Sequence, residues 1–169
     1  MPESVRHLVD FGHRRIAYIG GPAESVLPSI RRNAFEDTLA SLGLKPHAVI
    51  NTRYSPAKAA SETARLLDEP ESPTAIMYGT DTMAIAGMRT AQSRGLHVPR
   101  DLSVVGFEGL QIGEWIDPQL TTVQRFAVQR GRAAAAKLIG LLGETVAEEV
   151  PLEKPVLVVR GSTGPAPKR

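Results

Sequence analysis

Short apolar runs and helically spaced apolar positions follow one another along this chain, most clearly between residues 73 and 109. Residues 75–78 form one apolar run and residues 102–107 form another. Helical spacing appears between them, at Met83, Ala84, Met88 and Ala91. Two near-continuous apolar strands joined by a helix are typical of parallel strands that are buried on both faces of a sheet.

The rest of the chain continues this alternation of strands and helices. Further strands are predicted over residues 15–19, 48–50, 120–123 and 156–159. Further helices are predicted over residues 3–11, 29–42, 55–68 and 126–142. This alternation predicts an α/β fold, a doubly wound parallel sheet with helices on both faces and right-handed crossovers. If the strand order is 2-1-3-4-5, the first and third strands flank the point where such sheets bind ligands.

Composition narrows the class of protein. The 169 residues suffice for one domain with an ordinary core, and 42% of them are hydrophobic. The net charge of +2 and the scattered basic residues do not predict a nucleic-acid surface on this chain. The absence of cysteine excludes disulfides, thiolate metal sites and cysteine nucleophiles. No segment has transmembrane length or a signal-peptide pattern, so we expect a cytoplasmic protein without membrane contact.

Glycines and polar residues stand at the carboxyl ends of the first, third and fourth predicted strands. These ends are Gly20-Gly21, Gly79-Thr80 and Glu108-Gly109. The glycines are expected to let a ligand approach the backbone, while Thr80 and Glu108 supply hydrogen bonds. A helix cap or a loop carboxylate is the alternative role of Glu108, and Asp81 is most simply an N-cap.

Three further side chains are candidates for a pocket at this edge of the sheet. Arg31 lies four residues before Phe35, so it extends the buried face of its helix. Its guanidinium suits hydroxyls, carboxylates or phosphates, although a solvated or ion-paired surface arginine is the alternative. Tyr54 and Trp115 lie in predicted loops, where each is either a packing residue or the flat apolar wall of a sugar or base pocket.

The sequence offers no catalytic or metal-binding motif. It contains no Gly-x-Gly-x-x-Gly, P-loop, Gly-x-Ser-x-Gly or His-Glu-x-x-His pattern, and no nucleophile is coupled to a base. The histidines lack the spacing of metal ligands, so we expect no metal site. The chain is therefore predicted to bind a ligand, not to catalyse a reaction, and to need no cofactor.

Several segments, in order along the chain, resemble the LacI/GalR family of bacterial transcriptional regulators. They include FGHRRIAYIG at residues 11–20 and VPRDLSVVGFE at residues 98–108. The others lie at residues 7–9, 31–35, 73–76, 80–84, 118–123 and 159–163. Each segment is weak alone, but together their order and spacing cover nearly the whole chain.

The resemblance implies an effector-binding domain of the type I periplasmic-binding-protein-like fold, in which two α/β lobes enclose a small ligand. Most of this chain is then the C-terminal lobe, at residues 13–121 and 150–163. Residues 1–12 and 122–149 are then remnants of the N-terminal lobe, residues 164–169 are a disordered tail, and the DNA-binding headpiece is absent. The family's effector positions fall on Arg31, Tyr54, Thr80, Glu108 and Gln124.

Three residues depart from the usual pattern of the family. Glu108 replaces the common Asp and reaches one methylene further, Thr80 replaces a common Asn, and Ala34 stands where Gly is usual. These changes bear on the identity of the ligand and not on the fold.

The resemblance implies a regulatory fragment that binds a sugar or a related metabolite in the cleft between the lobes. Binding would shift lobe closure and thereby change the affinity for operator DNA, which the headpiece contacts. The fold does not separate this function from the alternative, a solute-binding protein of a sugar transport system. An enzyme of flavodoxin-like fold is a third and weaker alternative.

Two apolar stripes lie on helices that the resemblance assigns to the N-terminal lobe. They are Val5, Leu8 and Val9 on the first helix and Val128, Ala135, Leu138 and Leu142 on the last. Both stripes are expected to face a lobe that is missing. We therefore predict self-association, most simply as a homodimer.

Overall fold

Within residues 1–142 and 151–168, the part of the chain that the computed structural model describes, six strands form one sheet. The strands are β1 (Ile16–Gly20), β2 (Ala48–Asn51), β3 (Ala75–Tyr78), β4 (Ser103–Glu108), β5 (Thr121–Gln124) and β6 (Val156–Val158). The α-helices are α1 (Pro2–Asp10), α2 (Val26–Ser41), α3 (Pro56–Leu67), α4 (Asp81–Ser93) and α5 (Ala127–Leu141). A short 3₁₀ helix, Gln111–Glu114, lies between β4 and β5.

The strand order is β2-β1-β3-β4-β5-β6, which confirms the predicted doubly wound arrangement. Neighbouring strands from β2 through β5 pair in parallel. The last strand differs, because β6 pairs with β5 in the antiparallel direction, with Thr122 opposite Val158. An antiparallel edge strand on an otherwise parallel sheet is common in folds of this kind.

Alternate residues of the central strands point to opposite faces of the sheet, and each face has its own core. Ile16 and Tyr18 of β1 pack on one face with side chains of α1 and α2, including Phe35. Ala17 and Ile19 pack on the other face with side chains of α3 and α4. The strands are buried on both sides, which explains why their sequences are continuous apolar runs instead of alternating ones.

The first helix is part of this core, so one expectation from the sequence is wrong. Val5 and Leu8 are fully buried and pack in the same cluster as Phe35 and Leu39 of α2. An amphipathic pattern shows only that a helix has a buried face and does not identify what covers it. The stripe of α1 therefore faces this sheet and not a missing lobe.

The last helix, α5, agrees better with the expectation that its apolar stripe is not covered by this chain. No residue of α5 is buried within the described part of the chain, and Val128, Leu138 and Leu142 are 72%, 59% and 68% exposed. Residues 143–150 and 169, which belong to the predicted lobes and tail, lie outside the described residues. The division of the chain between two lobes stays a prediction.

The segment after residue 161 is tied to the amino end of the sheet, whereas the sequence predicts a frayed tail from residue 164. The backbone N–H of Gly164 donates to Ser103 Oγ at 3.1 Å, and that of Ala166 donates to the carbonyl of Phe11 at 2.8 Å. Ser162 is buried and donates to the carbonyl of Val104. These hydrogen bonds fix the start of the tail, although its composition resembles that of a disordered end.

His13 is the buried centre of this attachment. Its Nε2 lies 3.0 Å from the carbonyl oxygen of Gly164, which can only accept, so Nε2 carries the proton. Its Nδ1 then accepts from the hydroxyl of Thr74 at 2.9 Å. The neutral ring thus joins the start of β3 to the C-terminal segment. Burial lowers the pKa of His13. The hydrogen bond to Gly164 raises this pKa, whereas the charges of His7 and Arg14 lower it further.

We expect acid to weaken the domain through His13. Because its pKa is lower in the folded than in the unfolded chain, the unfolded chain binds more protons as the pH falls below about 6.5. The free energy of unfolding therefore does not depend on His13 above about pH 6.5, and it declines as the pH falls below that value. Urea unfolding at pH 7.5 and 5.5 measures this, and His13→Gln should show a smaller pH dependence while losing about 1–2 kcal/mol at pH 7.5.

Ser61 supplies the control for that measurement. It is exposed on α3 and does not titrate, so Ser61→Ala should keep the wild-type pH dependence. A His13→Gln variant with the wild-type pH dependence would show that His13 is not the group that senses acid. His7, whose pKa burial also lowers, contributes to the slope that remains.

Candidate functional site

A cavity of about 590 Å³ lies at the carboxyl ends of β1, β3 and β4. Four residues singled out from the sequence line it together: Arg31, Tyr54, Thr80 and Glu108. The other lining residues belong to residues 25–28, where β1 leads into α2. The parallel sheet brings the ends of these strands to one edge, which is where open α/β sheets bind ligands.

Arg31 is held in the cavity and is not a solvated surface arginine. It is half-buried on α2, and its Nη1 donates to the carbonyl of Gly79 at 3.1 Å. Its guanidinium carbon lies 4.3 Å from the centre of the Phe107 ring, close enough for a cation–π interaction. These two contacts orient the guanidinium across the end of β3, and its remaining N–H groups suit a ligand.

Glu108 ends β4 beside a second carboxylate, that of Asp81. Burial raises the pKa of Glu108, and the negative charge of Asp81 raises it further. The positive charges of Arg31 and Arg125 and a hydrogen bond from the Asp81 backbone act in the opposite direction. Glu108 also has a positive φ of 147°, a backbone conformation that residues with side chains rarely adopt and that occurs here where the carboxylate meets the cavity.

Asp81 has a different role from the N-cap that the sequence suggested. Thr80 caps α4, since its hydroxyl accepts from the backbone N–H of Met83 at 3.2 Å. Asp81 is fully buried, and its carboxylate accepts from the N–H of Leu110 at 2.6 Å and from the hydroxyl of Thr122. It thereby fixes the loop that follows Glu108. This positioning role has no local signal in the sequence, because both partners are distant in the chain.

Tyr54 occupies the space that two of the glycines leave open. A Cβ at Gly21 would lie 2.2 Å from the ring of Tyr54, and one at Gly79 would lie 3.3 Å from it. The backbone of Tyr54 is left-handed, with a φ of 56°. The expectation that these glycines admit a ligand to the backbone is therefore wrong for Gly21, which makes room for an aromatic side chain of the protein itself.

Gln124 and Trp115, the other two predicted site residues, lie outside this cavity. Gln124 is opposite Glu108 in the β4–β5 register and lines a neighbouring cavity of about 640 Å³, which also contains Glu108. Trp115 is 73% exposed and is absent from the described linings of both cavities, so the structure does not bring it to the site. Phe126 and Arg132, which the sequence analysis did not single out, line the second cavity.

The residues that meet here are suited to binding. A carboxylate accepts hydrogen bonds from ligand hydroxyls, and a guanidinium donates to hydroxyl oxygens or anions. Within the described residues, no three histidine or acidic side chains are grouped so that they could hold a metal ion. None of the described helices combines the length and apolarity needed to cross a membrane.

Comparison with known proteins identifies the family. Residues 5–163 match the family described as periplasmic binding protein-like domain. The HTH-type transcriptional repressor CytR of Escherichia coli strain K12 is 32% identical over 168 residues, which cover 98% of this chain and 49% of CytR. The chain thus spans about half the length of the curated relatives that it matches over most of its own length.

Solved structures agree in fold. A LacI family transcriptional regulator from Bifidobacterium animalis subsp. lactis has a TM-score of 0.85 at 37% identity, over 97% of this chain and 60% of that one. The lac repressor dimer bound to operator and the anti-inducer ONPF has a TM-score of 0.86 at 30% identity, over 96% and 57%. The chain therefore belongs to the periplasmic binding protein-like domain family, and along nearly its whole length it is similar to LacI-family transcriptional regulators.

Proposed function

We propose that this chain binds a hydroxyl-bearing small molecule, a sugar or a related metabolite, in the cavity lined by Arg31, Tyr54, Thr80 and Glu108. The observation that carries the proposal is the convergence of a carboxylate, a guanidinium, a hydroxyl and an aromatic ring in one cavity at the ligand-binding edge of the sheet. These groups come from four separate segments of the chain, so their meeting depends on the fold.

The chemistry of the two charged groups favours hydroxyls. The Glu108 carboxylate offers acceptors for two neighbouring hydroxyls, and the free N–H groups of Arg31 donate to hydroxyl oxygens. The cavity of about 590 Å³ lies within the range of small-molecule sites. Gln124, beside Glu108 in the sheet, extends the polar lining into the neighbouring cavity.

The ligand is proposed to act as an effector of DNA binding in the whole regulator. Ligand binding changes operator affinity only if it favours one of two conformations, so the effector must bind them with different affinities. The lac repressor structure named above is a dimer on operator DNA. For this chain we propose a homodimer and an operator contact made through a separate DNA-binding headpiece.

Binding and its dependence on Glu108 are tested with a panel of sugars, nucleosides and sugar phosphates. Saturation-transfer NMR and thermal shift on this chain should identify a ligand whose affinity falls roughly 10- to 100-fold in Glu108→Gln, because one charged hydrogen-bond acceptor is lost. Glu71→Gln, at an exposed loop position, should bind as the wild type does. Equal affinity in wild type and Glu108→Gln would contradict the assigned cavity.

A further inference from the structure

The C-terminal segment 162–166, named the strap, crosses the amino edge of the sheet. The N–H of Val104 donates to the carbonyl of Ser162 at 2.8 Å, and the N–H of Thr121 donates to Ser162 Oγ at 2.8 Å. Apart from Pro165, the strap has no apolar side chain larger than a methyl group. Hydrogen bonds, more than apolar packing, therefore hold it against the starts of β4 and β5.

Two imidazoles lie under the strap, one from α1 and one from the turn that follows it. His13 is fully buried, and its Nε2 lies 3.0 Å from both Ser103 Oγ and the carbonyl oxygen of Gly164. His7 Nε2 lies 3.0 Å or less from the strap as well, at 2.9 Å from Thr163 Oγ1. Two consecutive residues of the strap are thus each bonded to a titratable ring.

Charge on these rings is only partly compensated. Their hydrogen-bond partners are neutral, namely hydroxyls and, for His13, a carbonyl. The charged groups that act on His13 are Arg14 and the ring of His7, whereas Asp10 acts on His7. Arg14 donates to the carbonyl of His13 at 3.0 Å, so a positive charge already lies beside that ring. Asp10 raises the pKa of His7, but burial lowers the pKa of both rings.

A protonated imidazole in this place gains water only if one side of its enclosure opens. On one side are the starts of β3 and β4, where Ala75 and Ser103 are fully buried in the sheet. On the other side is the strap, whose hydrogen bonds water can replace. Opening on the strap side exposes less apolar surface, so it is the less costly route to hydration.

The chain is anchored again just before the strap begins. The guanidinium of Arg160 donates to the carbonyl of Leu120 at 2.8 Å and to the carboxylate of Glu114 at 2.8 Å. These contacts do not involve either histidine. The strap can therefore lift from the amino edge while the chain at residue 160 and the preceding strand β6 keep their places.

We propose that the strap is a proton-sensitive closure of the amino edge of the sheet, which lifts as a local unit when His7 and His13 are protonated. Histidine is suited to this role because its charge changes near neutral pH. Local opening of a short hydrogen-bonded segment requires less free energy than unfolding of the sheet. The opened strap uncovers His13 and the hydroxyls at the starts of β3 and β4.

Amide hydrogen exchange, followed by NMR at pH 7.5 and pH 5.5 with and without sub-denaturing urea, tests the proposal on this chain. Rates are divided by the intrinsic rate at each pH to give protection factors. Those of Gly164 and Ala166, whose N–H groups donate to Ser103 and Phe11, should fall at least roughly tenfold at pH 5.5. One imidazole with an ordinary pKa of about 6.5 in the open state gives this factor. Because the opening is local, added urea should leave these two protection factors unchanged.

Ile76, fully buried in β3, reports unfolding of the sheet, so its protection should be higher and should fall with urea. In the double variant His7→Gln and His13→Gln the protection of the strap should be the same at both pH values, whereas Ser61→Ala should keep the wild-type change. Strap protection that is equal at both pH values in the wild type would overturn the proposal. A strap that exchanges only together with Ile76, with the same urea dependence, would also overturn it, as would a full acid response in the double variant.

Discussion

Replacing Gly87 by alanine should destabilise the domain by about 3 kcal/mol, although alanine is the better helix former by about 1 kcal/mol. Gly87 is buried in α4, where an added Cβ would lie 2.0 Å from the hydroxyl oxygen and 2.4 Å from Cζ of Tyr78. Tyr78 is 1% exposed and its hydroxyl hydrogen-bonds to Thr63 at 2.7 Å. The ring has no solvent space to enter, so it must displace its neighbours and break that bond.

Urea unfolding measures this loss, and Gly131 supplies the control. Gly131 is exposed in α5, and the Cβ that alanine would add has no atom within 4 Å beyond its chain neighbours and the backbone of its own helix. Gly131→Ala should therefore stabilise the chain by up to about 1 kcal/mol through helix propensity alone. Replacement of glycine by alanine is then expected to lower the free energy of unfolding in α4 and to raise it in α5. A Gly87→Ala variant as stable as wild type would show that the α4 packing described here is wrong.

Replacing Asp81 by alanine should cost about 3 kcal/mol of folding free energy and also weaken ligand binding. The carboxylate is fully buried and accepts from the Leu110 N–H and the Thr122 hydroxyl, so its removal leaves both donors without this partner. The loop after Glu108 also loses its attachment to α4. We therefore expect the affinity for any ligand found in the panel to fall at least tenfold.

Denaturant unfolding and ligand titration of the same variant separate these two effects. Asp37→Ala, at an exposed position of α2, should change stability by less than about 0.5 kcal/mol and leave affinity unchanged. Thr122→Val removes one of the two donors and should cost about 1–2 kcal/mol. If Asp81→Ala lost no more stability than Asp37→Ala, the buried carboxylate would not hold this loop.

Much of the fold could be predicted because its signals are local. Residues 75–78 and 102–107 read as apolar runs in the sequence because both faces of those strands are covered. The helix predicted over residues 55–68 is observed as α3, and Ser55 caps it by accepting from the N–H of Lys58 at 3.2 Å. The alternation of such elements limits the topology to a few arrangements, and the observed strand order is among them.

The candidate site was only partly predictable, because its members interact over long sequence separations. The helical spacing of Arg31 and Phe35 indicated a direction for the guanidinium but not whether it was solvated. Its contacts with Gly79 and Phe107, 48 and 76 positions away, decide that question. Trp115 shows the opposite case, since an aromatic residue in a loop has no local signal that separates a pocket wall from an exposed side chain.

The sequence by itself determined which segments are strands and helices, their α/β class, and the residues at the strand ends that line the cavity. The tertiary structure alone decided that α1 belongs to the core, that Gly21 accommodates Tyr54, and that Asp81 holds the loop after Glu108. The physical reason is the distance along the chain over which each signal acts. Propensity, capping and periodicity act within a few residues, whereas burial and hydrogen-bond partners depend on which distant segments the fold brings together.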